Sequence, residues 1–282
     1  MSDDRPQVVK ANALIEASYR LTLSETRVLL AAIAQVRRDE APTDAVMYEV
    51  RANALADVSG IALKEAYEQL QTAVQRLENR RVRLFSGPND EGSPRIRSTV
   101  WVQTVDYIES EGRIQLRFSK DVLPYLTQLR EQYTRYELAN VATMRSTYGV
   151  RLYELCQQWR QHGEREIEIE DVRRLFGVEQ HHYKAIKDLK KRVIEPAVRD
   201  VNKCSDLTVT WGQRKRGRNV AAIQFQFTPK HLRGQSQKQK RPDRRHDGRL
   251  TRLEIERLAK PGESYDTAER RIEAEIAREV DI

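Results

Sequence analysis

His181 and His182 stand side by side in this chain, and Cys156 and Cys204 stand far apart. The histidines read as the start of a helix, where capping or phosphate contact suits them better than metal ligation. No His-Glu-x-x-His or zinc-type cysteine spacing occurs, so no metal site is expected. A relaxase-type nucleophilic site would need two histidines flanking an apolar residue on a strand, with a tyrosine beside them, and this pair does not fit. The two cysteines read as buried, reduced thiols of a cytosolic protein. Gly212 to Asn219, GQRKRGRN, has the G-x4-G spacing of a phosphate loop, but Arg218-Asn219 stands where Lys-Ser/Thr is required. It also lies between two strands instead of opening a helix. No catalytic group and no cofactor site survive, and the chain reads as a non-enzyme. What remains is charge. His181 to Val198, HHYKAIKDLKKRVIEPAV, places Lys184, Lys187, Lys190 and Lys191 on what reads as one helix, with Pro196 near its end.

At roughly 100° per residue, Lys184, Lys187 and Lys191 fall within about 60° of one another, while Ile186, Leu189, Val193 and Ala197 cluster about 140° away. The helix therefore has a packed side and a cationic side, and Lys190 lies toward the packed one. The whole 282-residue chain agrees with this: Lys+Arg number 50 against 42 Asp+Glu, a formal net charge of +8. Such an excess suits a polyanionic partner. The longest apolar run, Val28 to Ala34, is far short of the ~18 residues a bilayer needs. The opening MSDDRPQVVK is acidic and polar, unlike a signal peptide, so a cytoplasmic location and no membrane partner are expected.

Helical spacing predicts Leu23 to Arg38, with Ser24 as N-cap, then a short helix Arg51 to Val58 closed by Ser59-Gly60. A third helix runs from Leu63 to Glu78, with Tyr67, Leu70, Val74 and Leu77 on one side. The period then changes to strands over Arg81 to Phe85, Arg95 to Ile108 and Arg113 to Phe118, the last two joined at Glu111-Gly112. The second half repeats the order. Ser146 to Gln161 is a helix with Leu152, Leu155 and Trp159 inside, and Ile167 to Ile169 is a strand. Glu170 to Phe176 is a short helix ended by Gly177. The lysine helix follows, then strands Leu207 to Gln213 and Asn219 to Thr228. Helix, short helix, turn, longer helix and hairpin thus occur twice, which is the winged helix-turn-helix layout, with Gly60 and Gly177 where a tight turn needs positive φ.

In that layout the lysine helix lies in a major groove and the hairpin tip beside it grips phosphates. Arg214, Lys215, Arg216 and Arg218 crowd the tip around Gly217, so Lys184, Lys187, Lys190 and Lys191 with these four are the main DNA-contact candidates. Lys64, Arg81 and Arg83 are the candidates in the first copy. RNA binding fits less well, since no stacked aromatics lie on a strand face. A plain transcriptional repressor shares the fold logic, but it needs only one such module and a dimerisation element. After Thr228 the composition turns polar. Pro229 to Arg252 holds nine Lys/Arg against two Asp/Glu, and Leu253 to Ile282 five against nine. This reads as a disordered linker and charged tail, with a short amphipathic helix through Ile272, Ile276 and Val280, or an auxiliary DNA-contacting arm.

Several stretches together resemble the iteron-binding plasmid replication initiators, the theta-type Rep proteins. Val8 to Val36 is similar to their opening segment, with Asn12, Leu21 and Arg27 matching. Arg117 to Leu129, RFSKDVLPYLTQL, resembles the end of their first winged helix. STYGVRLYELCQQW, IEIEDVRRLFGV and YKAIKDLKKRVIEPAVRDVN follow the second closely. The likeness covers about residues 7 to 228. It implies an α+β chain of two tandem winged helix-turn-helix domains, while the charged, disordered tail after them has no part in the likeness and is read from composition alone. Residues 1–131 would serve dimerisation and backbone contact, 132–229 the main sequence reading, and 230–282 would be the tail. The likeness also implies that the helix Tyr183 to Val201 makes the dominant sequence-specific contacts, with base-reading or phosphate roles for Lys184, Lys187, Lys190, Lys191 and Arg192, and that Pro196 bends it where it leaves the groove. Monomers would bind directly repeated origin iterons and promote melting. Dimers would bind an operator inverted repeat and repress the initiator's own gene. A host replication initiator, the replicative helicase and chaperones would be partners.

Overall fold

The computed structural model describes residues 5–37, 43–88, 96–130, 132–230, 267 and 270–272. Residues 1–232 form one compact unit, and a second unit spans Arg233–Ile282. Apart from helical residues 267 and 270–272, the expectations for the tail lie outside the described residues.

The chain opens with β1 (Gln7–Ala11), α1 (Asn12–Ile15), β2 (Ser18–Tyr19) and α2 (Leu23–Ile33). The N-cap of α2 is Thr22, which corrects Ser24. Thr22 and Glu25 form a capping box: Glu25 N donates to Thr22 Oγ1 at 3.3 Å and Thr22 N to Glu25 Oε2 at 2.8 Å. This reciprocal pair satisfies two orphan donors, which Ser24 could not do from inside the first turn. The helix stops at Ile33, short of the expected Arg38. Next come β3 (Tyr48–Arg51), α3 (Ala52–Ser59) and α4 (Leu63–Leu77). Gly60, at φ 63°, joins the two helices in the left-handed region where glycine costs least. The buried stripe of α4 is Ala66, Leu70, Ala73 and Leu77. Tyr67 is not part of it; it is exposed and lies over Gly112 of the wing.

β4 (Arg81–Leu84) pairs with β2 on one side and β5 (Arg97–Val100) on the other, and β6 (Val102–Ile108) and β7 (Arg113–Phe118) form a hairpin with β3 on its far edge. After β8 (Tyr133–Glu137) and α5 (Ala139–Ala142) the second copy begins with α6 (Thr147–Gln158), capped by Ser146, whose Oγ accepts from Tyr148 N at 3.1 Å. Trp159, expected inside, caps the helix end and is 40% exposed. Then follow β9 (Glu164–Glu168), α7 (Ile169–Leu175), α8 (Ile186–Leu189), α9 (Glu195–Cys204), β10 (Leu207–Arg216) and β11 (Asn219–Pro229). The first wing sheet has order β3-β7-β6 and the second β9-β11-β10, the same topology. Two tandem winged helices are therefore present.

They are welded at their seam. β1 pairs antiparallel with β8, from Gln7↔Glu137 to Ala11↔Tyr133. Beneath that ladder Glu154 of α6, fully buried, accepts from Lys10 Nζ and Tyr136 OH, both at 2.6 Å, and from Arg151 at 3.2 Å. Arg151 also reaches the carbonyls of Ile15 (2.8 Å), Ala17 (3.1 Å) and Leu175 (2.8 Å), and lies over the Tyr19 ring at 4.2 Å. From the other side Arg27 donates to the carbonyls of Ala142 (3.3 Å) and Met144 (3.1 Å). A Cβ at Gly177 would run into the Tyr19 carbonyl oxygen, so the second turn glycine is required for this contact as well as for its φ of 65°.

Candidate nucleic-acid interface

The lysine-bearing helix starts at Ile186, not at Tyr183, so Lys184 precedes it and His181 and His182 do not begin it. The turn ahead of it explains the delay. Tyr183 sits at φ 48°, outside helical backbone, and Arg173 of α7 donates to the carbonyls of His182 (2.8 Å) and Tyr183 (2.7 Å). Those carbonyls serve a guanidinium and are withheld from helical N–H groups. Lys184, Lys187, Lys191 and Arg192 are all exposed. Arg192 lies 5.8 Å from the Tyr183 ring centroid, within cation–π reach. Lys190 is half-buried and donates from Nζ to Gln213 Oε1 on β10 at 3.0 Å, which ties the helix to the hairpin.

The helix does depart from regular geometry near Pro196. The irregular stretch precedes the proline: Lys190–Ile194 form a π-turn, with Glu195 N bonded to Lys190 O. Pro196 then falls in the first turn of α9, where a missing N–H costs little. Two causes converge. The wider turn eases the proline ring off the carbonyl four residues back. It also absorbs a drift: Leu189, Val193, Ala197 and Val201 are all fully buried at a spacing of four, which on a regular helix advances about 40° per step.

On the wing, Gly217 at φ 63° opens the two-residue connection to Arg218, as in II′-class hairpin turns. Lys215, Arg216 and Arg218 are exposed there. Arg214 is not aimed outward with them. Its Nε lies 2.8 Å from Glu166 Oε1 and its Nη2 on Glu168, both on β9. The Glu166 hydrogen bond, with the charge of both glutamates, pushes the Arg214 pKa up further. The register irregularity between Arg214 and Lys215 marks this change of direction.

The first module distributes charge differently. Lys64 is exposed in the first turn of α4, but its wing tip carries Glu109 and Glu111, with Arg113 held by Glu111 (2.7 Å) and Glu49 (2.6 Å). Arg81 and Arg83 project from β4 into a groove of about 590 Å³ at the seam. Arg20, Arg173 and Arg174 line it too, so five arginines from both modules share one groove, with Glu170 and Glu179 among them. Arg81 donates to Ser98 O at 3.0 Å, and Arg20 pairs with Glu179. The sequence reading missed Arg20, Arg173 and Arg174; only the adjacent pair at 173–174, in the last turn of a short helix, was a visible signal. Among the described residues Glu179, His181 and His182 are the one group that could hold a metal ion. No helix among them is long and apolar enough to cross a membrane.

Comparison with known proteins places this geometry. The family described as "Initiator Replication protein, WH1" matches residues 7–157, and "Initiator Rep protein, WH2" matches residues 168–227. A replication initiation protein of Escherichia coli is 28% identical over 227 residues, covering 78% of this chain and 68% of its own. The PI protein of Escherichia coli is 21% identical over 248 residues, covering 77% and 80%. Among solved structures, the Pi initiator protein in complex with iteron DNA has the same fold at a TM-score of 0.67 and 19% identity, over 80% of this chain and 98% of that one.

Proposed function

Because the chain belongs to the initiator replication protein family, we propose that it starts plasmid replication by binding directly repeated iterons at an origin with both winged helices. Membership of a family of initiators sets the plain repressor aside. The observation that supports iteron binding most is the second module's exposed cationic pair of elements: Lys187 and Lys191 on the helix, Lys215, Arg216 and Arg218 on the wing. A helix and a hairpin tip presented by one packed module match a major groove and its flanking phosphates. The likeness in fold to a protein crystallised on iteron DNA adds to this.

In this reading Lys184, Lys187, Lys191 and Arg192 approach bases or phosphates, with Lys190 setting the helix against the wing. Lys64, Arg81 and Arg83 contact the backbone from the first module, and Arg214 keeps the wing in place. Residues 1–131 serve dimerisation and backbone contact and residues 132–229 the main reading, although β1 and β8 pair across that boundary. The tail, 230–282, adds charge. Dimers bind an inverted repeat and repress the protein's own gene, and a host initiator, helicase and chaperones act with it. The chain acts in the cytoplasm as a DNA-binding protein without catalysis of its own.

Footprinting of the purified protein on the DNA flanking its own gene tests the proposal. Protection of tandem repeats in one direction supports it. A single protected palindrome, with no direct repeats, refutes it.

A further inference from the structure

We propose that Glu179, His181 and His182 form a binding site for a divalent transition-metal ion of the zinc type, in the turn just ahead of the recognition helix. His181 Nε2 and His182 Nδ1 lie 3.2 Å and 3.6 Å from the same oxygen, Glu179 Oε2. The three ligand atoms all lie within 4.8 Å of one another. Two ligands bound about 2.0–2.1 Å from one tetrahedral ion are themselves roughly 3.3 Å apart, so these separations are close to those a zinc ion imposes. Neighbouring side chains on a strand point to opposite faces. Here the turn closed by His182 N to Glu179 O, at 3.0 Å, sets the imidazole centroids 4.2 Å apart on one side.

The donor set is two imidazole nitrogens and a carboxylate oxygen. That mixture suits zinc, copper or nickel over magnesium or calcium, and three protein ligands leave a coordination position open. The frame is rigid without metal, because Arg173 holds the carbonyls of His182 and Tyr183. Glu179 is oriented as well. Its Oε1 pairs with Arg20, while Oε2 faces the histidines, so the Arg20 contact becomes an outer partner of the ligand and need not break. The histidine side chains are 69% and 46% exposed, so the site is open to an ion from solution.

A bound ion would add positive charge just before Lys184, with its open position free for water or a phosphate oxygen. The site thus adds a metal-dependent contact to the proposed DNA interface. This coupling rests on the DNA-binding reading, whereas metal binding itself does not.

The test titrates zinc chloride into chelator-treated full-length protein by calorimetry, beside His181→Ala/His182→Ala and Glu179→Gln. All three positions are on the surface turn, and a thermal melt checks that the variants keep the fold. We expect about one saturable equivalent that the double substitution abolishes and Glu179→Gln weakens about tenfold or more, since even outer-shell losses cost that much. Zinc held elsewhere survives the double substitution, so the difference is what counts. Identical isotherms for wild type and double variant overturn the site. Anisotropy titrations with a footprinted duplex then test the coupling. Zinc should tighten binding and steepen its salt dependence in wild type and do neither in the double variant. An unchanged DNA affinity at full zinc occupancy overturns the coupling. Failure to bind the DNA flanking its own gene, with zinc and without it, counts against the DNA reading alone.

Discussion

Glu154→Gln is the sharpest probe of the seam between the modules. Glu154 is fully buried and accepts at 2.6 Å from Lys10 and Tyr136, with Arg151 at 3.2 Å. Glutamine keeps the volume and one acceptor but removes the charge, which leaves Lys10 and Arg151, 3% and 5% exposed, without a counter-ion. Breaking a buried pair in this way costs about 3–5 kcal/mol. The lower end applies here. Arg151 keeps three carbonyl acceptors, and Lys10, its pKa already lowered by burial, can shed its proton. A loss near 3 kcal/mol is a large part of the ~5–15 kcal/mol typical of a folded domain. Urea unfolding followed by circular dichroism should show it as a lower midpoint at unchanged slope. Acid titration supplies a second readout. Burial alone would raise the Glu154 pKa, but Lys10 and Arg151 outweigh it and hold it below 4.5. A carboxylate with a lowered folded pKa stabilises above its unfolded pKa and loses that contribution as pH falls through the folded one. Wild type should therefore lose stability below about pH 4.5 more steeply than the variant. A cost under about 1 kcal/mol, the range of an exposed pair, would refute the claim that this cluster is dry and closed.

Three more expectations rest on the structure. Lys187→Ala should cost about 1–3 kcal/mol on the cognate repeat and much less on scrambled duplex, by anisotropy at several salt concentrations. Lys215→Ala and Arg216→Ala should each weaken binding to all duplexes and lower the salt slope by about 1, while Arg214→Ala, whose cation is already paired with Glu166 and Glu168, leaves that slope unchanged. Gly177→Ala should destabilise more than Gly60→Ala in thermal melts. Both have positive φ, costing about 1 kcal/mol or more, but only Gly177 has a backbone carbonyl where the Cβ would go.

The repeated order of elements was legible in the sequence because each module carries its own periodicity and turn glycine. The seam was not. β1 and β8 lie more than a hundred residues apart and owe their pairing to each other, and neither stands out locally as a strand. Lys10, Arg151 and Glu154 look like surface charges in a one-dimensional reading; only tertiary packing reveals that they satisfy one another. The start of the lysine helix was misplaced for the same reason, since Arg173 captures the carbonyls that would have extended it. The π-turn did leave a trace in the strict spacing of four from Leu189 to Val201. Arg214 sits in the basic cluster by sequence, yet its strand position points it at the glutamates of β9.

The two modules share one topology and differ in where charge is displayed, so the fold by itself does not assign their roles. The first wing tip is acidic and its arginine is occupied by Glu49 and Glu111, while the second is basic and, among the described residues, unoccupied at three of its four cations. In the proposed function, one strongly cationic reader and one weaker partner give the chain a direction along DNA, which a symmetric pair of readers lacks. The seam keeps that direction useful. A buried ion cluster contributes little net stability compared with an apolar core of the same volume, but it accepts only a narrow range of geometries, since any opening leaves charges unpaired. Holding both modules in one register before binding spares the ordering entropy that a flexible tether would lose on the repeat. Directional charge and a fixed register are together what recognition of a direct repeat requires, and neither is supplied by the winged helix alone.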